Sequence, residues 1–348
     1  MKNIVFLMLV CFCTNLQANQ CSVARPQLTI VYGNGMLNDR EDAVEAQAML
    51  SVLMSDQLAG YNVSYDLSYN YNENIAYQFL EVARQKALQD YSLIFLWLAG
   101  VEEAPSWFVE GMESIINSYD AFSYVFDGDL SQHIREYVRK IGQCRKVLLV
   151  AHSQGNFYGN EAWRAVYESS EVGVAFNQLK LMGMVSVATP ASLVGYPLVY
   201  EGDKQKVTRY LTLYEDWVIS VLGRVGINAL PANVSNSGES DDWMNHSFVM
   251  SYLSGDPSGD VLKDQIRSVA YNLETLPFAR DALDSSALAS AGYDPAARIL
   301  EVQFVGSESL YRYYGVPEWV YRDLISAESI GRYYNQFIRG QYLSRRLN

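Results

Sequence analysis

The run Val147-Leu148-Leu149-Val150-Ala151-His152-Ser153-Gln154-Gly155-Asn156 narrows the fold more than any other part of this 348-residue chain. Lys146 to Ala151 is apolar enough for a strand buried on both faces, as at the centre of a parallel sheet. Helical spacing takes over from Asn156 to Tyr167. Between them stands Ser153, with the small residues Ala151 and Gly155 two positions away on either side. A serine held in a strained turn needs small neighbours there, because larger side chains would collide. Such a turn lifts Oγ above the sheet and aims the N-terminus of the next helix at negative charge forming beside it. The pattern is that of a nucleophile elbow, with Ala151 where a glycine usually stands.

A serine hydroxyl is a weak nucleophile until a base takes its proton. The chain offers three histidines, His133, His152 and His246. In elbow folds the chain order is serine, acid, histidine, and only His246 follows Ser153. His152 sits inside the elbow, where a neighbouring side chain points elsewhere, and His133 precedes it. Ser153 is therefore the expected nucleophile and His246 its base. The acid belongs just past the strand that follows Leu179–Ala188. That strand reads as Val207–Tyr214, which makes Asp216 the expected acid and Glu215 the alternate. Asp241 and Asp242 read as solvated acids of an Asn/Ser/Gly-rich loop.

An oxyanion needs backbone N–H donors. Gln154, directly after the serine, is one expected donor. Met36 is the other, in the turn Gly33-Asn34-Gly35-Met36 that ends the strand Gln27–Tyr32. The same glycines do not continue into a dinucleotide loop, since Asn38 stands where a further glycine is wanted. With no HExxH run and no Cys/His cluster, neither a metal nor an organic cofactor is called for.

Strands alternate with helices along the first 280 residues or so. Ala43, Ala46, Leu50 and Met54 fall at helical spacing behind Asn38, a capping residue. Tyr61–Tyr71 reads as a strand. Glu73–Asp90, Leu130–Gly142 and most of Trp243–Leu276 read as helical. This order predicts an α/β fold with a doubly wound, mostly parallel sheet. The stretch 91–126, with Trp97, Trp107, Phe108 and Phe122, suits either a lid over an acyl pocket or extra core. Near Asp284 the character changes. Residues 286–348 hold no lysine, seven arginines, six acids and eight tyrosines. Strands at Arg298–Phe304 and Leu310–Gly315, then helices from Glu318 and from Ser329, predict a small α+β unit over 285–348.

The N-terminus reads as a secretory signal over residues 1–18. Met1-Lys2-Asn3 is basic, Ile4–Cys13 is apolar without a break, and a polar exit ends on Ala18. Ten helical residues span about 15 Å, half of a bilayer core of about 30 Å. The chain is thus expected to be exported, periplasmic or extracellular, with its main domain at 19–284 and no transmembrane segment once the signal is removed. Export leaves Cys21 and Cys144 as the remaining thiols. A net charge of −13 excludes nucleic-acid binding through the overall field.

Ala151–Gly155 together with His246 resemble the α/β-hydrolase superfamily over residues about 25–280. Val187-Ala188-Thr189-Pro190-Ala191 and Asn245-His246-Ser247-Phe248 are similar to a bacterial lipase-like branch of it. The resemblance implies a serine hydrolase that cleaves a small-molecule or lipid ester through an acyl-enzyme. Acyltransferases and thioesterases share the same triad, and a surface or adhesion protein on the same scaffold is the non-enzymatic alternative. In that fold the strand near Gln27 lies beside the strand near Lys146. Cys21 and Cys144 precede these strands at one edge, so the resemblance implies a Cys21–Cys144 disulfide.

The tail resembles the KTSC domain on Gly292-Tyr293-Asp294, Tyr311-Arg312-Tyr313, Val316-Pro317, the run Ser329 to Asn335, and Ile338-Arg339. An RNA-binding role has been suggested for that family. Here the nearly balanced charge and the alternating tyrosines favour packing or a protein partner over nucleic acid.

Overall fold

Strand pairing puts the strand that runs into the serine turn at the centre of the parallel sheet. In a computed structural model, residues 21, 26–34, 40–69, 105–107, 110, 128–171, 173–224, 228–238, 240–242 and 244–347 are described. The expected signal segment, Met36, Asn38, the helix Glu73–Asp90 and nearly all of the stretch 91–126 lie outside these residues.

The first unit runs β1 (Gln27–Gly33), α1 (Arg40–Leu53), β2 (Asn62–Ser68), α2 (Gly128–Gly142), β3 (Arg145–His152), α3 (Gly155–Tyr167), β4 (Met182–Val187), α4 (Asp203–Val207), β5 (Thr208–Leu211), α5 (Trp217–Arg224) and α6 (Ser258–Asn272). Its five strands lie in the order β2-β1-β3-β4-β5. Every pair in this sheet is parallel. Val147 to Ala151 are all buried, as a strand with neighbours on both sides and helices on both faces must be. α1 opens on Glu41 and Asp42, which suit the positive end of its dipole. It turns Ala43, Ala46 and Leu50 into the core. α3 lies unusually close to the sheet at Gly159. A Cβ there would stand 2.6 Å from Met184 Cε and 2.9 Å from Leu149 Cδ2.

Two expected elements are shorter than their apolar patterns. The strand expected over Val207–Tyr214 pairs with β4 only over Thr208–Leu211: Val207 is wound into α4, and past Leu211 the chain bridges from Leu213 to Val234 instead. The helical reading of Trp243–Leu276 gives way to a loop, a π-helical turn at Phe248–Leu253 and then α6.

The second unit is an antiparallel sheet built from β6 (Asp281–Ala282), β7 (Leu288–Asp294), β8 (Ile299–Phe304), β9 (Leu310–Tyr314) and β10 (Ser344–Arg346), with α7 (Glu318–Ser326) and α8 (Ile330–Phe337). The strand order is β10-β9-β8-β7-β6. Its own core includes Leu288, Leu300, Val302, Val320 and Leu324. Ile299, Leu310 and Leu347 pack instead with the core of the first unit.

Charge is buried where the units meet. Arg312 is fully buried. Its Nη1 donates to Glu274 Oε2 at 2.8 Å, its Nε to Glu301 Oε1 at 3.0 Å, and its Nη2 to the Thr275 carbonyl at 3.1 Å. Lys180 pairs with the same Glu274. Arg345 forks onto Asp203 while stacking over the Tyr200 ring at 3.9 Å. Arg312 and Arg345 are therefore bound within the chain.

Cys21 and Cys144 form a disulfide with Cα atoms 5.3 Å apart. Cys21 also donates its N–H to Pro277 O at 3.2 Å and accepts from Ala279 N at 2.9 Å. The bridge thus fastens the segment joining the two units to the start of β3. Among the described residues no helix is long and apolar enough to cross a membrane.

Candidate active site

At the C-terminal end of β3 the chain makes the sharp turn expected of it. Ser153 has φ 51°, the left-handed region that a residue with a side chain enters only under constraint. Several bonds supply that constraint. Ser153 N donates to Val187 O at 2.9 Å. The Asn156 side chain donates to both Ser153 O (2.8 Å) and Val187 O (3.0 Å), tying the elbow to the end of β4. Gly155 is required by the chain leaving β1. A Cβ on it would stand 2.4 Å from Asn34 O and 2.9 Å from Gly33 O. The end of β1 at Gly33 and Asn34 therefore lies against the elbow. Gln154 is buried directly ahead of the first turn of α3.

Ser153, His246 and Asp216 come together from three places in the sequence. Ser153 Oγ lies 2.9 Å from His246 Nε2. His246 Nδ1 lies 2.8 Å from Asp216 Oδ2 and 3.1 Å from Oδ1. All three residues are buried. With Nδ1–H donating to the carboxylate, Nε2 is free to accept the serine proton. Asp216 Oδ1 accepts from Ile219 N at 3.0 Å, in the first turn of α5. The alternate acid, Glu215, turns away to Ser235 and Asn236.

Three further residues hold this set, and the sequence reading did not find them. Asp242 is the sharpest correction: expected as a solvated loop acid, it is only 7% exposed. Its Oδ2 accepts from the backbone N–H groups of His246 and Ser247, each at 2.6 Å, and from Ser251 Oγ at 3.0 Å. Its Oδ1 accepts from Met244 N at 3.0 Å. His152 donates from Nε2 to the His246 carbonyl at 2.8 Å. Burial, and then the neighbouring His246, push the proton affinity of His152 well below the usual imidazole range. It stays neutral and keeps that donor. Tyr252 donates its hydroxyl to Asp216 Oδ2 at 2.6 Å. The signal that marks Asp242 in sequence is its place four residues before His246, an Asx-type reach to downstream backbone N–H groups.

Beside His246 opens a cavity of about 380 Å³. Tyr32, Ala46, Phe248 and Val249 give it apolar walls, and Asp42 and Glu45 of α1 stand at it as well. Among the described residues no group of three or more His, Cys, Asp or Glu side chains is arranged to hold a metal ion.

Comparison with known proteins bears on the second unit. Residues 284–342 match the family model of the KTSC domain. The chain belongs to the KTSC-domain family. A 63-residue stretch is 51% identical to an uncharacterized protein of Stutzerimonas stutzeri strain A1501, covering 18% of this chain and 87% of that one. A 60-residue stretch is 45% identical to a protein of Tsukamurella paurometabola, covering 17% of this chain and 88% of that one. A crystal structure of a KTSC domain protein from Yersinia pestis is 40% identical over 20% of this chain and 97% of its own, with a TM-score of 0.20. In this KTSC domain the central Tyr311-Arg312-Tyr313 alternates across the sheet. Arg312 faces the first unit, and Tyr313 meets Tyr334 of α8, hydroxyl to hydroxyl at 2.5 Å.

Proposed function

We propose that this chain is an exported serine hydrolase of the α/β-hydrolase type that cleaves carboxylic esters. The observation that carries the reading is the line of bonds from Ser153 Oγ through His246 to Asp216, buried at the end of a central parallel strand. Ser153 Oγ attacks the ester carbonyl carbon while its proton passes to His246 Nε2. Asp216 holds the imidazolium through Nδ1–H. The tetrahedral oxyanion takes hydrogen bonds from the backbone N–H of Gln154 and, by the sequence reading, of Met36. Collapse breaks the ester C–O bond, and the departing alkoxide takes the proton from His246. Water then attacks the acyl-serine, giving its proton to His246. The carboxylic acid leaves and Ser153 regains its hydrogen.

The apolar walls of the cavity beside His246 suit an acyl or alkyl chain, which favours small lipid-like esters. The Cys21–Cys144 bridge supports export to an oxidising compartment. The test is hydrolysis of a series of neutral p-nitrophenyl esters of rising chain length by the wild type and Ser153→Ala. The wild type turns them over, and the variant loses roughly 10³-fold or more in kcat. Equal rates in the two proteins would remove Ser153 from the reaction.

A further inference from the structure

We infer that Tyr252 is a positioning residue that sets the hydrogen-bonding strength of Asp216 toward His246, an inference that rests on reading Ser153, His246 and Asp216 as a catalytic set. Tyr252 comes from the π-helical turn Phe248–Leu253. π-turns are rare and recur at functional sites. Here two successive residues point inward and reach two different acids. Ser251 Oγ donates to Asp242, which holds the backbone of His246 and Ser247. Tyr252 Oη donates to Asp216 Oδ2 at 2.6 Å. One turn therefore braces the catalytic histidine through its backbone and the catalytic acid through its carboxylate.

The phenol is fixed as a donor. Leu213 N–H donates to Tyr252 Oη at 3.1 Å, so the hydroxyl proton is directed to the carboxylate. Tyr252 and Asp216 are both fully buried, and water does not compete for the bond. Burial first, then the adjacent Asp216 charge, push the Tyr252 phenol well above its usual range, so it does not ionise. Asp216 Oδ2 is shared by two donors, Tyr252 Oη–H and His246 Nδ1–H. A short bond from the phenol draws negative charge toward itself and leaves less to stabilise the imidazolium. The titratable and charged groups around this cluster are His246 and, through it and Ser251, Asp242 from the loop, Glu215 beside Asp216, and His152 from β3, whose ring lies 6.1 Å from that of Tyr252.

The sign of the effect follows. Tyr252→Phe keeps the ring and removes the donor. It should change KM little, because Tyr252 does not line the cavity beside His246. It should also move the acid limb of the pH–rate profile upward by about half a pH unit or more, because Asp216 then holds the imidazolium more strongly. Replacing Tyr252 with a ring-fluorinated tyrosine strengthens the donor and should move the limb downward. Opposite shifts in the two proteins support the inference; a limb that stays in place in both overturns it. If the phenylalanine variant does not fold, the fluorotyrosine protein alone decides. A wild type that hydrolyses no ester overturns the catalytic reading and this inference together. An active wild type with an unmoved limb overturns only the role of Tyr252.

Discussion

Ser153 pays a backbone penalty of about 1–3 kcal/mol for its left-handed conformation, and neighbouring residues offset it through Val187, Asn156 and Gly155. His152, next to it, makes a different contribution. It is buried and neutral, and its imidazole holds the carbonyl of His246. That neutrality has a consequence for stability. The native state resists protonation of His152 well below the usual imidazole range, whereas the unfolded chain takes a proton at about pH 6.5. The stabilisation is present above that pH and is lost as pH falls below it, at up to about 1.4 kcal/mol per pH unit. Urea midpoints measured from pH 7.5 to 5 should fall more steeply for the wild type than for His152→Gln. Parallel slopes would contradict the assignment. At this scale the sequence made Ser153 and His246 legible, because the elbow has a local signature and histidines are scarce. Asp242 was hidden, because its partners exist only once the loop folds back over the carboxylate.

Among elements, legibility follows side-chain size. β3 announces itself through an unbroken apolar run and α3 through large apolar residues at period 3.6. β7 reads Leu-Ala-Ser-Ala-Gly-Tyr-Asp, and its small residues give no strand signal although it pairs β8 along its length. β10, Ser344–Arg346, is polar and pairs at an edge. The π-turn at Phe248–Leu253 has the apolar density of a helix, so its different winding was not readable. The disulfide was legible through the likeness of the fold, which put Cys21 and Cys144 at one sheet edge. Its attachment to Pro277 and Ala279 was not, since the linker's path depends on the second unit.

For the whole molecule, the central question is how a KTSC domain is held on a neighbouring parallel sheet. The answer lies in Arg312, which joins Glu301 of its own sheet to Glu274 beyond the end of α6. The sequence places Arg312 between two tyrosines, but not beside Glu274 and Glu301, which reach it only through the fold. Removing Arg312 strips both buried carboxylates of donors while Lys180 still pairs with Glu274 and Arg280 with Glu301, at a cost of about 1–3 kcal/mol. Arg312→Met should therefore destabilise the chain by that amount and split its thermal unfolding into two steps, read by calorimetry. An unchanged single transition in Arg312→Met would show that the network does not join the units.

Activation of Ser153 by His246 can be read with a fluorophosphonate probe, which bonds covalently to an activated serine and leaves an adduct that peptide mass can map. The wild type should carry a single adduct on Ser153, and Ser153→Ala none. Labelling should slow by orders of magnitude in His246→Ala, as the proposed activation requires. A correctly folded wild type that takes up no probe, or takes it up at another residue, would contradict it.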